Sequence, residues 1–229
     1  MAAQPLQVGF VLFPRLTQLD LTAPWELFAR LPGVQAHLAW KTLDPVASDT
    51  DLAILPGVTF ADCPDLDLMC VPGGPGVNAL LDDAEALAFV RRQGQRARWV
   101  TSVCSGALVL GAAGLLRGYR ATTHWASLDF LAAFGATAER SRVCVDRNRV
   151  TGGGVTAGLD FGLHLAAELA GRATAERIQL YIEYDPAPPL HAGSPDTAPA
   201  EVLARYHELA APILEERRQA VARAAARLG

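Results

Sequence analysis

The chain has 229 residues, of which 51% are hydrophobic and 19% are charged, and its formal net charge is −4. This balance excludes a disordered chain, which has low hydrophobicity or one dominant charge, and it disfavours binding of nucleic acid. The longest apolar stretch, Ala107–Leu116, is shorter than the roughly 18 residues that a membrane-spanning helix needs. The sequence therefore predicts a globular, cytoplasmic protein with no membrane or nucleic-acid partner.

Strands and helices alternate through the first 170 residues. In chain order the predicted elements are the strand Gln7–Phe13, the helix Leu16–Leu31, the strand Val34–Trp40, a short strand in Asp51–Leu55, the strand Leu66–Val71, the helix Ala84–Ala97, the strand Trp99–Val103, the helices Ser105–Leu116 and Ser127–Phe134, a hairpin of Arg142–Asp146 and Val150–Gly152, and the helix Leu159–Leu169. This order predicts an α/β fold, with a mostly parallel sheet sandwiched by helices. Ligands bind beyond the carboxyl ends of such strands. We therefore expect the functional site among Pro14–Asp20, Pro72–Gly76 and Cys104–Gly106.

The composition changes from Arg172 onward. A predicted helix runs to about Tyr184, and the proline-rich segment Asp185–Pro199 is incompatible with regular structure. A final helix begins at about Ala200, and Pro212 should kink or restart it. We predict a single domain over residues 1–229, with a core at 7–171. The extension at 172–229 is interpreted as a packing or dimer element rather than a lid.

Cys104 lies where a predicted strand turns directly into a predicted helix, in the segment WVTSVCSGAL. A nucleophile on such an elbow is held at the top of the sheet. The helix N-terminus favours negative charge, so the sequence predicts a lowered thiol pKa and a nucleophilic Cys104. Cys63, Cys70 and Cys144 are interpreted as small buried hydrophobic residues.

Two further segments are expected at the same edge of the sheet. Asp20 follows the first strand among apolar residues. A carboxyl group there, near a thiolate, would have a raised pKa and could donate or accept a proton. A helix N-cap is the alternative role for this residue. The turn PGGPG at 72–76 follows another buried strand, and its backbone N–H groups are candidates for stabilising a developing negative charge. Such turns end many strands, so this signal alone is weak.

His124 lies 20 residues after Cys104 and is a candidate partner for activating the thiol. A histidine beside a tryptophan, here Trp125, is also typical of a structural residue, and both interpretations stay open. No grouping of histidine and acidic residues has metal-ligand spacing, and no glycine-rich nucleotide-binding motif is present. The sequence therefore predicts neither a metal nor a cofactor.

Several segments resemble one known superfamily. VTSVCSGALVLGAAGLL, RATTHW, TGGGVTAGLDFGLHLAAEL and VPGGPGV are similar to segments of the PfpI-type intracellular proteases, the protein deglycases and the class I glutamine amidotransferase-like domains. Within it, FPRLTQLDLTAPWELFARLP, FADCPDLD and YDPAPPLHAGSPDTAP resemble the isocyanide hydratases, and the likeness extends from Val8 to about Leu228. The resemblance implies a flavodoxin-like fold and a homodimer.

The resemblance also implies a reaction, the hydration of an isocyanide to an N-substituted formamide by a lyase that needs no cofactor. In it the Cys104 thiolate attacks the terminal carbon of the small-molecule isocyanide, a covalent thioimidate forms, and water releases the formamide. Asp20 acts as general acid and base, and Ser105 stands where close relatives commonly carry threonine. Gly73 and Gly74 match the backbone amides of the glycine turn.

The chain departs from other branches of the superfamily. Peptidase members carry histidine directly after the cysteine, where this chain has Ser105, and the deglycase branch carries glutamate as the acid, where this chain has Asp20. Transcription regulators of the AraC type share the VCSG and RATTHW features, but they join them to a helix-turn-helix module, for which the final predicted helix is too short. A redox or small-molecule sensor and a deglycase- or glyoxalase-like enzyme stay open as alternatives.

Overall fold

A central sheet organises the part of the chain that the computed structural model describes, residues 4–228. The strands, in chain order, are Leu6–Val11 (β1), Val34–Trp40 (β2), Val46–Ala47 (β3), Ala53–Ile54 (β4), Val58–Thr59 (β5), Leu68–Val71 (β6), Trp99–Val103 (β7), Arg120–Ala121 (β8), Thr137–Ala138 (β9), Val143–Asp146 (β10) and Arg149–Gly152 (β11). The helices are Gln18–Phe28 (α1), Val77–Leu80 (α2), Ala84–Arg96 (α3), Gly106–Ala112 (α4), Ala157–Ala170 (α5), Arg172–Tyr181 (α6) and Ala200–Ala226 (α7), with a 3₁₀ helix at Trp125–Phe134.

Seven strands form the main sheet in the order β10-β11-β7-β6-β1-β2-β5. Every neighbouring pair is parallel except β10 and β11, which form the antiparallel hairpin predicted from the sequence. The chain passes from β1 outward to β2 and later returns to β6 on the other side of β1, so strand order reverses between β1 and β6. The flavodoxin-like α/β fold is thereby confirmed, and its switch point lies where ligands bind in such sheets.

The strands of the sheet centre are buried because both faces are covered by helices. All four residues of β6 and the last four of β1 and of β7 are buried, as expected for a parallel sheet between two helical layers. On one side, Phe10 packs against Phe28, which in turn contacts Phe161 of α5. On the other, the rings of Phe60 and Phe89 stack with their centroids 4.1 Å apart.

Several boundaries differ from those predicted. The helix expected at Leu16–Leu31 is shorter and begins after Thr17. The one expected at Ser127–Phe134 is a 3₁₀ helix that starts at Trp125. The short helix α2 and the two-residue strands other than β4 were not predicted. Such short elements are held by tertiary contacts and have too few residues to show a periodic pattern.

The C-terminal extension packs against the core through α7. Its inward face, which includes Ala220, Val221 and Ala224, is buried and lies against α2, α4 and the 3₁₀ helix. Pro212 lies within this helix of 27 residues, so the predicted restart is wrong. Proline removes one backbone hydrogen bond, and here the residue is exposed, so water can satisfy the carbonyl that loses its partner. No helix in the described part of the chain is both long and apolar enough to cross a membrane.

Candidate active site

The predicted site residues meet at the carboxyl ends of β1, β6 and β7, three adjacent strands. Asp20 lies in the first turn of α1, the glycine turn follows β6, and Cys104 follows β7. Cys104 has a φ angle of 54°, in the left-handed region that residues with a side chain rarely adopt. Its N–H donates to the carbonyl of Gly152 at 3.0 Å, which ties the elbow to the neighbouring strand. The predicted strand–elbow–helix geometry is therefore present.

Two glycines allow the backbone segments to approach closely. A Cβ atom on Gly106 would lie 2.2 Å from the carbonyl oxygen of Val71, so the start of α4 rests directly on the end of β6. A Cβ atom on Gly73 would lie 2.5 Å from the backbone nitrogen of Ser105 and 2.9 Å from Oδ2 of Asp20. Only glycine fits at these two positions, and the glycine turn lies against both the elbow and the carboxyl group.

Asp20 is completely buried. Its Oδ2 accepts a hydrogen bond from the N–H of Gly73 at 2.9 Å, while Oδ1 is buried without a hydrogen-bond partner among residues 4–228. Burial raises the pKa of Asp20 to about 7, although the Gly73 N–H and the neighbouring Cys104 thiol oppose the shift. The N-cap of α1 is Thr17, so the N-cap alternative for Asp20 is wrong. A carboxyl group of this kind exchanges a proton near neutral pH.

Cys104 is 7% exposed, and burial raises the pKa of its thiol. The charge of Asp20 raises it further, whereas the Ser105 N–H and the guanidinium of Arg217 lower it. The net direction is opposite to the one the sequence predicts, because the loss of hydration outweighs the favourable field of a short helix. Burial also raises the pKa of Cys63 and of Cys144 to about 11. The elbow and the adjacent carboxyl group, rather than acidity, distinguish Cys104.

The backbone N–H groups of the glycine turn are engaged by side chains. The Gly73 N–H donates to Asp20, and the Gly74 N–H donates to Oγ of Ser105 at 3.0 Å. Ser105 is 1% exposed and its Oγ also lies 3.3 Å from the Gly74 carbonyl oxygen. The turn therefore orients Asp20 and the elbow. The sequence predicted that these N–H groups would stabilise a developing negative charge, but in the structure both donate to side chains.

His124 takes a structural position. Its Nδ1 accepts a hydrogen bond from the N–H of Ala126 at 3.3 Å and so caps the 3₁₀ helix. Burial and the nearby Arg217 lower its pKa to about 4. The ring packs against Trp125 and Tyr206, and within the described residues it forms no hydrogen bond to Cys104.

Arg217 of α7 was not predicted to belong to the site. It is 7% exposed and lies behind the glycine turn, with one of its N–H groups 3.3 Å from the carbonyl oxygen of Gly74. The two residues are 143 positions apart in the chain. No local sequence pattern distinguishes Arg217 from the adjacent Arg218, which is exposed and forms an ion pair with Glu215. Only the docking of α7 brings this charge to the site.

A cavity of about 450 Å³ lies near the elbow, although neither Cys104 nor Asp20 lines it. It is lined by Thr123, His124 and Trp125 together with the glycine-rich turn at 153–156 and residues 193–196 of the extension. The hydroxyl of Thr123 donates to the carbonyl of Cys104 at 2.7 Å, which links the cavity wall to the elbow. Among residues 4–228, no three histidine, cysteine or acidic side chains gather closely enough to hold a metal ion.

The fold and the site define an α/β protein that carries a buried cysteine on a strand-to-helix elbow beside a carboxyl group. The model of the DJ-1/PfpI family matches residues 6–168, and the chain belongs to that family. The superfamily resemblance stated from the motifs is thereby confirmed.

Three similar proteins show how far the likeness extends. An isonitrile hydratase of Pseudomonas putida is 56% identical over 223 residues, which cover 97% of this chain and 98% of the relative. A crystal structure of a ThiJ/PfpI family protein from Pseudomonas syringae has a TM-score of 0.93 and 49% identity, and the match covers 95% of this chain and 90% of that one. The HTH-type transcriptional regulator GbdR of Pseudomonas aeruginosa is 31% identical over 79% of this chain but over 51% of its own length.

Proposed function

We propose that this protein hydrates isocyanides to N-substituted formamides, as a lyase that uses the Cys104 sulfur and no cofactor. The observation that supports this most is the 56% identity with an isonitrile hydratase over nearly the full length of both chains. The site supports it independently. The terminal carbon of an isocyanide reacts with a soft nucleophile and then requires a proton, and the buried thiol and carboxyl group, which influence each other's pKa, are suited to both steps.

The first half of the proposed reaction forms the covalent bond. The Cys104 thiol gives its proton to the Asp20 carboxylate as the sulfur attacks the terminal carbon of R–N≡C. The carbon, which now carries the electron pair, takes that proton from Asp20. The product is a thioimidate, Cys–S–CH=N–R, in which every atom of the thiol and of the isocyanide is retained. Because burial raises the pKa of Asp20 to about 7, this residue can both accept and return the proton.

The second half consumes one water molecule. The water oxygen bonds to the thioimidate carbon and one water proton goes to the nitrogen. The carbon–sulfur bond then breaks, and the sulfur regains the second water proton as the carbonyl forms. The sum is R–N≡C plus water giving R–NH–CHO, with Cys104 and Asp20 returned to their starting forms. Asp20 lies beside the sulfur and is the proton carrier that we propose for both transfers.

The test compares formamide production from a small aryl isocyanide by the unmodified protein, Cys104→Ala and Cys63→Ala. Cys63 is a free cysteine outside the site, so its removal is a matched control for the loss of a thiol. We expect turnover in the unmodified protein and in Cys63→Ala, and none in Cys104→Ala. Absence of turnover in all three would overturn the hydratase and leave the sensor or the deglycase-like enzyme. Turnover that survives in Cys104→Ala would remove Cys104 as nucleophile.

A further inference from the structure

Arg217 is a buried cation held by neutral groups from two parts of the chain, the glycine turn with the start of α2 and the 3₁₀ helix. Its Nε donates to Oδ1 of Asn78 at 2.9 Å and its Nη1 donates to Oγ of Ser127 at 3.0 Å. Its Nη2 lies 3.3 Å from the carbonyl oxygen of Gly74, which is part of the turn that contacts Ser105. The guanidinium is thus fixed in position directly behind the elbow.

This cation has no ion-pair partner among residues 4–228. The carboxylate of its neighbour Glu216 instead accepts a hydrogen bond from the Asn78 amide. Removing a charge from water without a counter-charge is costly, and such a residue persists where the charge has a use. Two of the ionisable groups around it are neutral, because burial lowers the pKa of His124 and raises that of Tyr206. The others are Cys104 and the exposed carboxylate of Glu216, which favours the charged form of Arg217 from the surface.

We propose that Arg217 is a positioning residue of the site, which holds the glycine turn against the elbow and balances the negative charge on Cys104 when the thiol loses its proton. The inference rests on the proposed role of Cys104 as nucleophile. It extends that role by assigning the counter-charge to the C-terminal helix, a part of the chain beyond the residues that the family model matches.

The effects of Arg217 and Cys104 on each other's pKa support this assignment. The guanidinium lowers the pKa of the Cys104 thiol, and the thiolate in turn favours the charged form of Arg217. The other charged group facing the sulfur is Asp20, which acts in the opposite direction and is neutral once it has accepted the thiol proton. After proton transfer, Arg217 and the thiolate are therefore the two opposite charges that remain in the buried site.

The test measures the pH dependence of Cys104 alkylation by iodoacetamide, with the modified peptide quantified by mass spectrometry. Arg217→Gln removes the charge, Arg217→Lys keeps it with fewer hydrogen bonds, and Arg218→Gln is the control on the exposed side of the same helix. We expect the profile of Arg217→Gln to move upward by about one pH unit or more. Arg217→Lys should move it less, and Arg218→Gln not at all.

Several outcomes would overturn the inference. An unchanged profile in a folded Arg217→Gln, or equal shifts in Arg217→Gln and Arg217→Lys, would leave Arg217 with a packing role only. If Arg217→Gln does not fold, Ser127→Ala, which loses one contact but keeps the charge, must leave the profile in place while Arg217→Lys shifts it slightly. The measurement uses no isocyanide. Formamide production with an unchanged profile would therefore refute the inference alone, and a shifted profile without formamide production would refute the proposed function alone.

Discussion

Asp20 shows how burial changes the chemistry of a single residue. Its carboxyl group lies in an apolar region, one oxygen accepts a backbone hydrogen bond, and the other has no hydrogen-bond partner within residues 4–228. The sequence predicted a raised pKa from the expected nearness of Asp20 to a thiolate, and the structure gives a pKa of about 7. The direction agrees, but burial is the main cause and the Cys104 thiol acts against it. The burial could not be predicted from local sequence, because segments as distant as Gly73 meet Asp20 only in the folded protein.

The raised pKa predicts a pH-dependent effect of Asp20→Asn. The folded protein keeps a proton on Asp20 up to about pH 7, whereas the unfolded chain releases it near pH 3.8. The contribution of Asp20 to the free energy of unfolding therefore falls as pH rises through that range. Asparagine does not titrate. The free energy of unfolding of Asp20→Asn, relative to the unmodified protein, should therefore increase between pH 5 and pH 8, by a few kcal/mol at most.

Urea unfolding of both proteins at the two pH values measures this difference, with the exposed Asp185→Asn as control. A relative stability of Asp20→Asn that is independent of pH would show that the acid titrates normally. The same variant should lose formamide production by roughly 10²- to 10⁴-fold, because a general acid–base group is removed. A sensor would instead show only altered thiol reactivity.

Cys104 shows which properties of a site residue can be predicted from the local sequence and which cannot. The positive φ angle was predictable, because a strand that turns into a helix within one residue requires it. The direction of the thiol pKa was not, since the helix N-terminus is visible in the sequence but the residues that bury the sulfur come from distant strands. The same reason hid the engagement of Gly73 and Gly74 by side chains.

At the scale of elements, the site depends on three strand ends brought close together by glycine. The buried strands were predictable from short apolar runs followed by proline or glycine, and their parallel pairing from the alternation with helices. Their order in the sheet was not predicted, because alternation does not determine which strands become neighbours. The helix predicted at Ser127–Phe134 is present, but it is a 3₁₀ helix and begins at Trp125, since the apolar spacing of so short a segment does not distinguish the two kinds of helix.

Gly106→Ala should weaken the contact between α4 and β6. The added methyl group would lie 2.2 Å from the Val71 carbonyl oxygen. Because it would clash with main-chain atoms, the strain could be relieved only by moving the backbone of α4 or β6. We expect a loss of about 1–3 kcal/mol in the free energy of unfolding, measured by urea titration. Gly154→Ala is the matched control, since no heavy atom lies within 4 Å of its added Cβ. Equal stability of the two variants would contradict the close packing.

At the scale of the whole molecule, the extension leaves large apolar side chains exposed. Leu180, Leu190 and Leu209 are 80%, 76% and 65% exposed. Exposed apolar side chains that form a contiguous patch are typical of an interface. We propose that the protein is a homodimer in which the extension takes part, as the family resemblance implies.

Sedimentation equilibrium should therefore give twice the 24.3 kDa mass of the chain. Combined substitution of Leu180, Leu190 and Leu209 by aspartate should shift the protein toward the monomer. Leu43→Asp with Leu52→Asp is the control, because these exposed leucines lie outside the extension. A monomeric unmodified protein would overturn the homodimer, and an unaffected dimer in the triple variant would place the interface elsewhere.

The long sequence separation of the Arg217 contacts has a consequence for biosynthesis. The three contacts span 90, 139 and 143 residues, and all of them end on the last helix of the chain. During synthesis from the N-terminus, the sheet and Cys104 emerge well before α7 can dock. Until α7 has been made and docks, a growing chain therefore carries Cys104 without the positive charge that we propose balances its thiolate. The site therefore gains its full set of charged groups only after α7 has packed against the core.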